Sequence, residues 1–347
     1  MRIGSAKQTY AADEAIFKTN VQRVWFAVLL LALALFPFAA SDYWQLLACL
    51  IAINVIAAMG LMILTGFTGL VSLGHAAFMG VGAYTAAYLS NHVGLPFWLT
   101  IPAGGFTAAA VGAVFGIPSL RVKGLYLALT TIAASFILHF VFFNWVSVTG
   151  GARGLTIEPA RIFGHALVTP GAIYWIAVPI AALSVWWARN LLRTRVGRAF
   201  IAIRDRDVSA ELLGINLLRY KLMSFALASF YAGMAGAVWI YLFRVITPES
   251  FRLIESIFFV AAIIVGGLGS VRGAIFGAAF MTLVPELLKI GASDLAPYWP
   301  DAVKLLSPVR TIVFGALIVG FLMFEPLGLN EIWRRTRQRF ALWPFRT

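Results

Sequence analysis

The sequence predicts an all-α, polytopic integral membrane protein with about ten transmembrane helices, some of them short or broken by glycine. Three observations predict it. Of 347 residues 61% are hydrophobic and 12% charged, whereas soluble domains are about a quarter charged. From Tyr43 to Leu120 there is no Asp, Glu, Lys or Arg, a run of 78 residues, and a bilayer crossing needs about 20. Further charge-free runs cover 124–152, 162–188, 222–243 and 256–271. Strands of alternating polarity are not seen, and a lipid-embedded backbone that is not a closed barrel must be helical to satisfy its own hydrogen bonds.

Taken in order, the spans fall near 24–40, 43–64, 72–90, 96–118, 124–147, 170–188, 220–243, 254–270, 273–289 and 308–324. The first follows a mostly polar segment without a small-residue cleavage site, which reads as a retained helix rather than a signal peptide. With the N-terminus inside, the inner segments are 1–23, 121–123, 189–221, Arg272 and the tail from Glu325, and they hold 20 of the 27 Lys and Arg. The 14 acids divide evenly. Orientation follows cations and is nearly blind to acids, so both termini are expected in the cytoplasm. The organisation is then a cytoplasmic segment 1–23, a transmembrane domain 24–330 interrupted by a cytoplasmic loop 189–221, and a basic tail 331–347.

The last spans are short, with charge-free stretches of 16, 13 and 14 residues. That places Glu255 and Glu286 at the outer boundary and Glu325 at the inner one, in the headgroup layer. The net charge of +13 follows this loop asymmetry and does not point to nucleic acid. Cys49 is the sole cysteine, the four histidines are scattered, and no metal-ligand spacing joins them, so no metal, cofactor or catalytic residue is expected.

Glycine clusters mark two turns. "TGFTGLVSLGHAAFMGVGAY" and "VGGLGSVRGAIFGAAF" each read as a helix end, a cytoplasmic-side turn and a small-residue helix. Gly costs about 1 kcal/mol relative to Ala inside a helix, so Gly66, Gly69, Ser72 and Gly74 in quick succession break the helix rather than pack it. Paired glycine-interrupted segments point to a substrate pathway. The candidate pathway residues are Gly69, Ser72, Gly74, His75, Gly267 and Gly269, with His75 either a hydrogen-bonded packing residue or a lining one. In the inner loop, 207–214 reads as a short amphipathic helix. Asp207 or Ser209 caps it, Val208, Leu212 and Leu213 share a face, and Gly214 ends it. No Lys follows a Gly anywhere, so the phosphate-cradling G-x-x-x-x-G-K-[ST] loop is absent. Any ATP-driven step needs another polypeptide.

Several blocks, "GLVSLGHAAFMGVGAYTAA" (69–87), "GLYLALTTIAASFIL" (124–138), "TGGARGL" (149–155), "GRAFIAIRDRDVSAELLGINLLRYKLMSFALASFYAGMAGA" (197–237), "VGGLGSVRGAIFGA" (265–278) and "MFEPLGL" (323–329), resemble the LivM-type permease family of branched-chain amino-acid ABC importers. The resemblance implies an inner-membrane permease subunit that itself catalyses no reaction. It implies as partners a homologous LivH-type permease, two ATP-binding cassette subunits and a periplasmic solute-binding protein. It further implies that Arg204, Asp205, Asp207, Glu211, Leu212 and Gly214 form the segment that couples to the ATPase, with Glu211 and Gly214 at the acid and glycine positions. Two positions depart from the family pattern. Arg153 stands where relatives often carry an acid or Asn, and Arg206 stands between the two acids that follow Arg204. Related permeases carry urea, short amides or aromatic carboxylates, so the solute is left open. An ATP-independent transporter or channel is the alternative from another class. It calls for ionisable residues along the pathway, and the core spans offer almost none.

Overall fold

In the computed structural model, described for residues 20–119, 124–162, 165–295, 306–325 and 327–342, the chain is a bundle of long α-helices. The predicted parts at 1–19, 121–123 and 343–347 lie outside the described residues. Each predicted span has a helix of its own: α1 Asn20–Ala39, α2 Asp42–Leu61, α3 His75–Tyr88, α4 Phe97–Ser119, α5 Leu125–Asn144, α7 Pro170–Leu191, α10 Leu217–Phe243, α11 Leu253–Gly266, α12 Val271–Leu295 and α13 Leu306–Phe324. Among the described residues six helical stretches are long and apolar enough to cross a membrane. Helix α1 begins at Asn20, inside the segment expected to be cytoplasmic. A short helix α6 (Val146–Thr149) follows α5, and a basic helix α14 (Gly328–Leu342) follows α13.

The centre of the bundle is α10, packed against α2, α3 and α4. Small residues bring these backbones together, because helices in lipid gain little from hydrophobicity and associate by close packing. Gly82 of α3, Gly104 of α4 and Gly233 of α10 meet at one crossing. A Cβ on Gly104 would lie 2.7 Å from the Gly82 carbonyl, and one on Gly233 would lie 2.5 Å from the Gly104 carbonyl. Gly273 and Gly277 do the same work for the α11–α12 hairpin, where they face the backbones of Gly266 and Ala262. The lipid-facing sides are apolar: Trp25, Phe106, Tyr126, Phe136, Phe140 and Ile312 are all well exposed. This is expected where the surroundings are hydrocarbon.

The loops gather at two ends. At one, β1 (Leu155–Thr156) pairs antiparallel with β4 (Val245–Ile246), Arg244 donates to the Val168 carbonyl and Asn91 donates to the Thr156 carbonyl. A second tiny ladder, β2 (Arg161–Ile162) with β3 (His165–Ala166), belongs to the same loop. Glu286 accepts from the Tyr43 hydroxyl and lies 3.7 Å from Lys289. The other end holds the glycine turns, the 189–221 loop and α14. The loop carries two helices where the sequence reading expected one. Helix α8 (Arg195–Asp205) is capped by Thr194, and its stripe Ala199, Phe200 and Ile203 is buried. Helix α9 spans Asp207–Leu212.

Candidate functional site

The hydroxyls in the first glycine cluster have a clear task. After α2 the chain passes through a π-helical turn, Met62–Phe67, and then leaves helical geometry until His75. Irregular backbone at membrane depth must find partners within the protein. Here the Thr65 and Thr68 hydroxyls donate to the Leu70 and Ile63 carbonyls, both at 3.0 Å. The Leu73 N–H reaches Thr131 Oγ1 at 2.9 Å, and the Ala76 N–H at the start of α3 reaches Ser256 Oγ at 3.0 Å. Thr131 and Ser256 come from α5 and α11, so the break is stitched by two other helices.

Ser72 and His75 are each 1% exposed. The Ser72 hydroxyl accepts from the Gly74 N–H at 3.4 Å. His75 Nε2 lies 2.8 Å from the Ala57 carbonyl, and its ring meets Phe259 edge-on with centroids 5.7 Å apart. Gly74 has the Thr131 carbonyl 2.7 Å from where a Cβ would be. Beside this region, toward the strand-bearing end, lies a cavity of about 210 Å³ bordered by Asn54, Ala76, Trp239, Glu255 and Thr282. Asn54 donates to Thr282 across it at 2.8 Å.

At the opposite end the two glycine clusters meet each other. Gly69 and Gly269 have φ of 76° and 78°, and Gly267 has 112°, backbone that L side chains rarely adopt. Gly267 ends α11 and the turn 268–270 leads into α12. The Gly269 N–H points at the Met62 sulfur, 3.2 Å away, and lies 3.0 Å from the Cβ position of Gly66. Gly328, with φ 70°, packs its backbone onto Gly267. The sequence offered a signal for Gly328 in "EPLGL", a helix-ending Pro and Gly, yet it was not singled out. Met62, Thr131 and Ser256 carried no signal.

The residues that the family resemblance picked out in the 189–221 loop divide by direction. Arg204, in the last turn of α8, faces inward: its Nη1 donates to the Gly66 carbonyl at 3.0 Å, while Nε and Nη2 hold Asp205 at 3.2 and 3.1 Å. Asp207 is not a cap in the usual sense. Arg206 is extended at the cap position, and the Asp207 carboxylate takes the adjacent Val208 N–H at 2.9 Å. Its second oxygen lies 3.7 Å from Lys221 Nζ, a lysine that sequence reasoning missed and that is only 8% exposed. Glu211 and Gly214 face solvent. Gly214 ends the helix at φ 85° with nothing near its Cβ position. Val208, Leu212 and Leu213 are 61%, 84% and 81% exposed, an apolar stripe that this chain leaves bare. Between the loop and the first glycine turn runs a cleft of about 610 Å³.

No group of three His, Cys, Asp or Glu that could hold a metal occurs among the described residues. Long apolar helices and helix breaks whose polar groups are satisfied from inside describe a multi-pass membrane protein. The chain belongs to the family described as branched-chain amino acid transport system, permease component, whose model matches residues 45–322. It is 31% identical to the high-affinity branched-chain amino acid transport system permease LivM of Escherichia coli K12, over 92% of this chain and 78% of that one. Its identity to the permease LivH of the same strain is 24%, over 78% and 89% of the two chains. To the autoinducer 2 import system permease LsrC of Escherichia coli it is 25%, over 62% and 56%. No solved structure matches the chain.

Proposed function

We propose that this chain is the transmembrane permease subunit of an ABC importer that moves branched-chain or other apolar amino acids across the bacterial inner membrane. It crosses the bilayer about ten times, with 1–23, the 189–221 loop and the tail 331–347 in the cytoplasm. Its partners are a homologous LivH-type permease, two ATP-binding cassette subunits beneath and a periplasmic solute-binding protein above. The likeness to both LivM and LivH supports a pair of related permeases.

The observation that carries the reading is the apolar stripe Val208, Leu212 and Leu213, standing in water at the cation-rich end of the bundle. Burying three such side chains is favourable by about 1.5–3 kcal/mol each, so the stripe suits a groove on a partner. The mixed charges of Arg204–Asp207 and Glu211 suit a protein surface better than uniformly anionic lipid. ATP-driven closure of the cassettes then pulls on α9 and shifts the population of inward- and outward-open permease. The glycine turns of 66–74 and 267–269 are the joints at which helices can re-aim without breaking.

The experiment is reconstitution. Proteoliposomes holding the permease pair, both cassettes and the binding protein should take up leucine only when ATP is inside. This chain alone should take up none. Uptake by the isolated chain, or accessibility of residue 211 from the periplasm, overturns the reading.

A further inference from the structure

We infer that Arg204 is a positioning residue that clamps the two glycine turns together and transmits the displacement of the coupling helix to them. The inference rests on the proposed importer function but adds a role that faces into the membrane domain, away from any ATPase.

The geometry has four parts. The Arg204 guanidinium donates to the Gly66 carbonyl at 3.0 Å, across 138 positions of sequence. The same Nη1 lies 2.8 Å from the Cβ position of Gly269, so any side chain there would displace it. The stem of Arg204 lies against Gly69, whose Cβ position is 3.1 Å from Cγ and 3.4 Å from Cα of the arginine. Asp205 fixes the opposite edge of the guanidinium from the next residue in the chain. One planar group therefore touches the break after α2, the break before α12 and the loop that bears α9.

The chemistry suits arginine and not lysine. A guanidinium presents donors in a rigid fork, so it can hold a carboxylate on one edge and a backbone carbonyl on another. A lysine ammonium is a point charge on a flexible stem and cannot fix three elements at once. Glycine suits each position: Arg204 Nη1 leaves no space for a Cβ at 269, Met62 and the Gly269 N–H crowd the one at 66, and φ is positive at 69 and 269. Alpha9 is tied separately, through Asp207 to Lys221 at the start of α10. A pull on α9 thus reaches α10 by one link and the glycine turns by the other. The cleft of about 610 Å³ beside Arg204 gives the loop room to swing.

The test uses the whole complex in proteoliposomes and reads two quantities: leucine moved per ATP hydrolysed, and cassette subunits retained per permease. In Arg204→Gln the cassettes should remain bound while leucine per ATP falls about tenfold or more, the factor expected for a lost charge-assisted hydrogen bond. Arg204→Lys should fall between it and wild type. A wild-type ratio in Arg204→Gln overturns the inference, and loss of the cassettes also overturns it in favour of a docking role. If Arg204→Gln does not assemble, Asp205→Asn keeps the arginine and removes the carboxylate that orients it. Its ratio should fall in the same direction, and a wild-type ratio overturns the clamp. A second arm needs no ATPase. Spin labels at Ser209→Cys and Leu268→Cys, both on exposed positions, should give a narrow distance distribution that broadens in Arg204→Gln. An unchanged width refutes the clamp even if transport is lost. Wild-type complex that shows no ATP-driven uptake refutes the importer reading instead and leaves the label arm to decide the clamp.

Discussion

Gly233→Ala tests whether the helix crossing at the centre of the bundle is as tight as described. The added methyl would lie 2.5 Å from both the Gly104 carbonyl oxygen and Ala108 Cβ. Carbon atoms pack at about 3.5–4.0 Å, so α4 and α10 must part by about 1 Å. Neither obstacle can rotate away, because one is backbone and the other a Cβ. Overpacking of this kind costs about 1–3 kcal/mol. Against it stands the better helix propensity of Ala, worth about 1 kcal/mol over Gly. The propensity gain is isolated by Gly315→Ala, at a helical glycine with open space around its Cβ position. The difference between the two variants is then the clash alone. For a difference of about 2 kcal/mol the melting midpoint in detergent should be about 5 °C lower for Gly233→Ala. Equal midpoints would refute backbone contact at this crossing, since no other cost of the methyl remains.

Three further outcomes follow from the same contacts. Glu211→Lys changes a solvent-facing charge on α9 without touching the fold, so membrane levels should hold while solute-stimulated ATP hydrolysis in the complex falls at least about tenfold, the loss typical of truncating a paired interface charge. Unchanged stimulation would remove Glu211 from the interface. Lys221→Ala should loosen α9 and raise its proteolysis in the isolated permease, because it removes the ammonium 3.7 Å from the Asp207 carboxylate that ties α9 to α10; Lys221→Arg should restore it. The Arg334 hydrogen bond, at 2.8 Å, and then Arg335 hold the Glu331 carboxyl below the usual carboxylate range. A depressed native pKa means that its stabilisation is present above the unfolded value and disappears as pH falls through the native one. The melting difference between wild type and Glu331→Gln should therefore be present at neutral pH and vanish in acid, and a difference that grows in acid would contradict the pairing.

Much of the fold was legible because a membrane sequence encodes it in one dimension. Charge-free length placed a helix at every expected span, and the Lys/Arg count separated loops that the structure gathers at two ends. The helix breaks were legible at Gly66–Gly74 and Gly267–Gly269, since clustered glycine has no other inexpensive use in a span. Three things were not legible. Helix α8 was missed because its buried stripe, Ala199, Phe200 and Ile203, is embedded in a run of arginines that reads as a loop. The meeting of the two glycine turns depends on a tertiary contact between residues about 200 positions apart, which no local pattern reports. The inward direction of Arg204 was hidden for the same reason. The guanidinium is partly exposed, and only the carbonyl of Gly66 explains why one edge of it turns inward.

Helix α10 links the two faces of the bundle. This helix runs 27 residues, from the 189–221 loop at one end to β4 at the other. At its start Lys221 holds Asp207 of α9; just past its end, Arg244 caps it in left-handed geometry at φ 61° and donates to the Val168 carbonyl. Its buried face mixes small residues, Ala228, Ala232, Gly233, Ala235 and Gly236, with Phe225, Tyr231 and Tyr241, and the Tyr241 hydroxyl is hydrogen-bonded to Thr100 of α4 at 2.6 Å, so α10 is locked to α4 and the two move as one body. Helix α10 is unbroken and tied at both ends, to Asp207 through Lys221 and to Val168 through Arg244. The glycine turns do the opposite, since positive-φ glycines absorb rotation locally. Under the coupling role proposed for α9, displacement entering there reaches the far loops through α10 and the near end through the glycine turns.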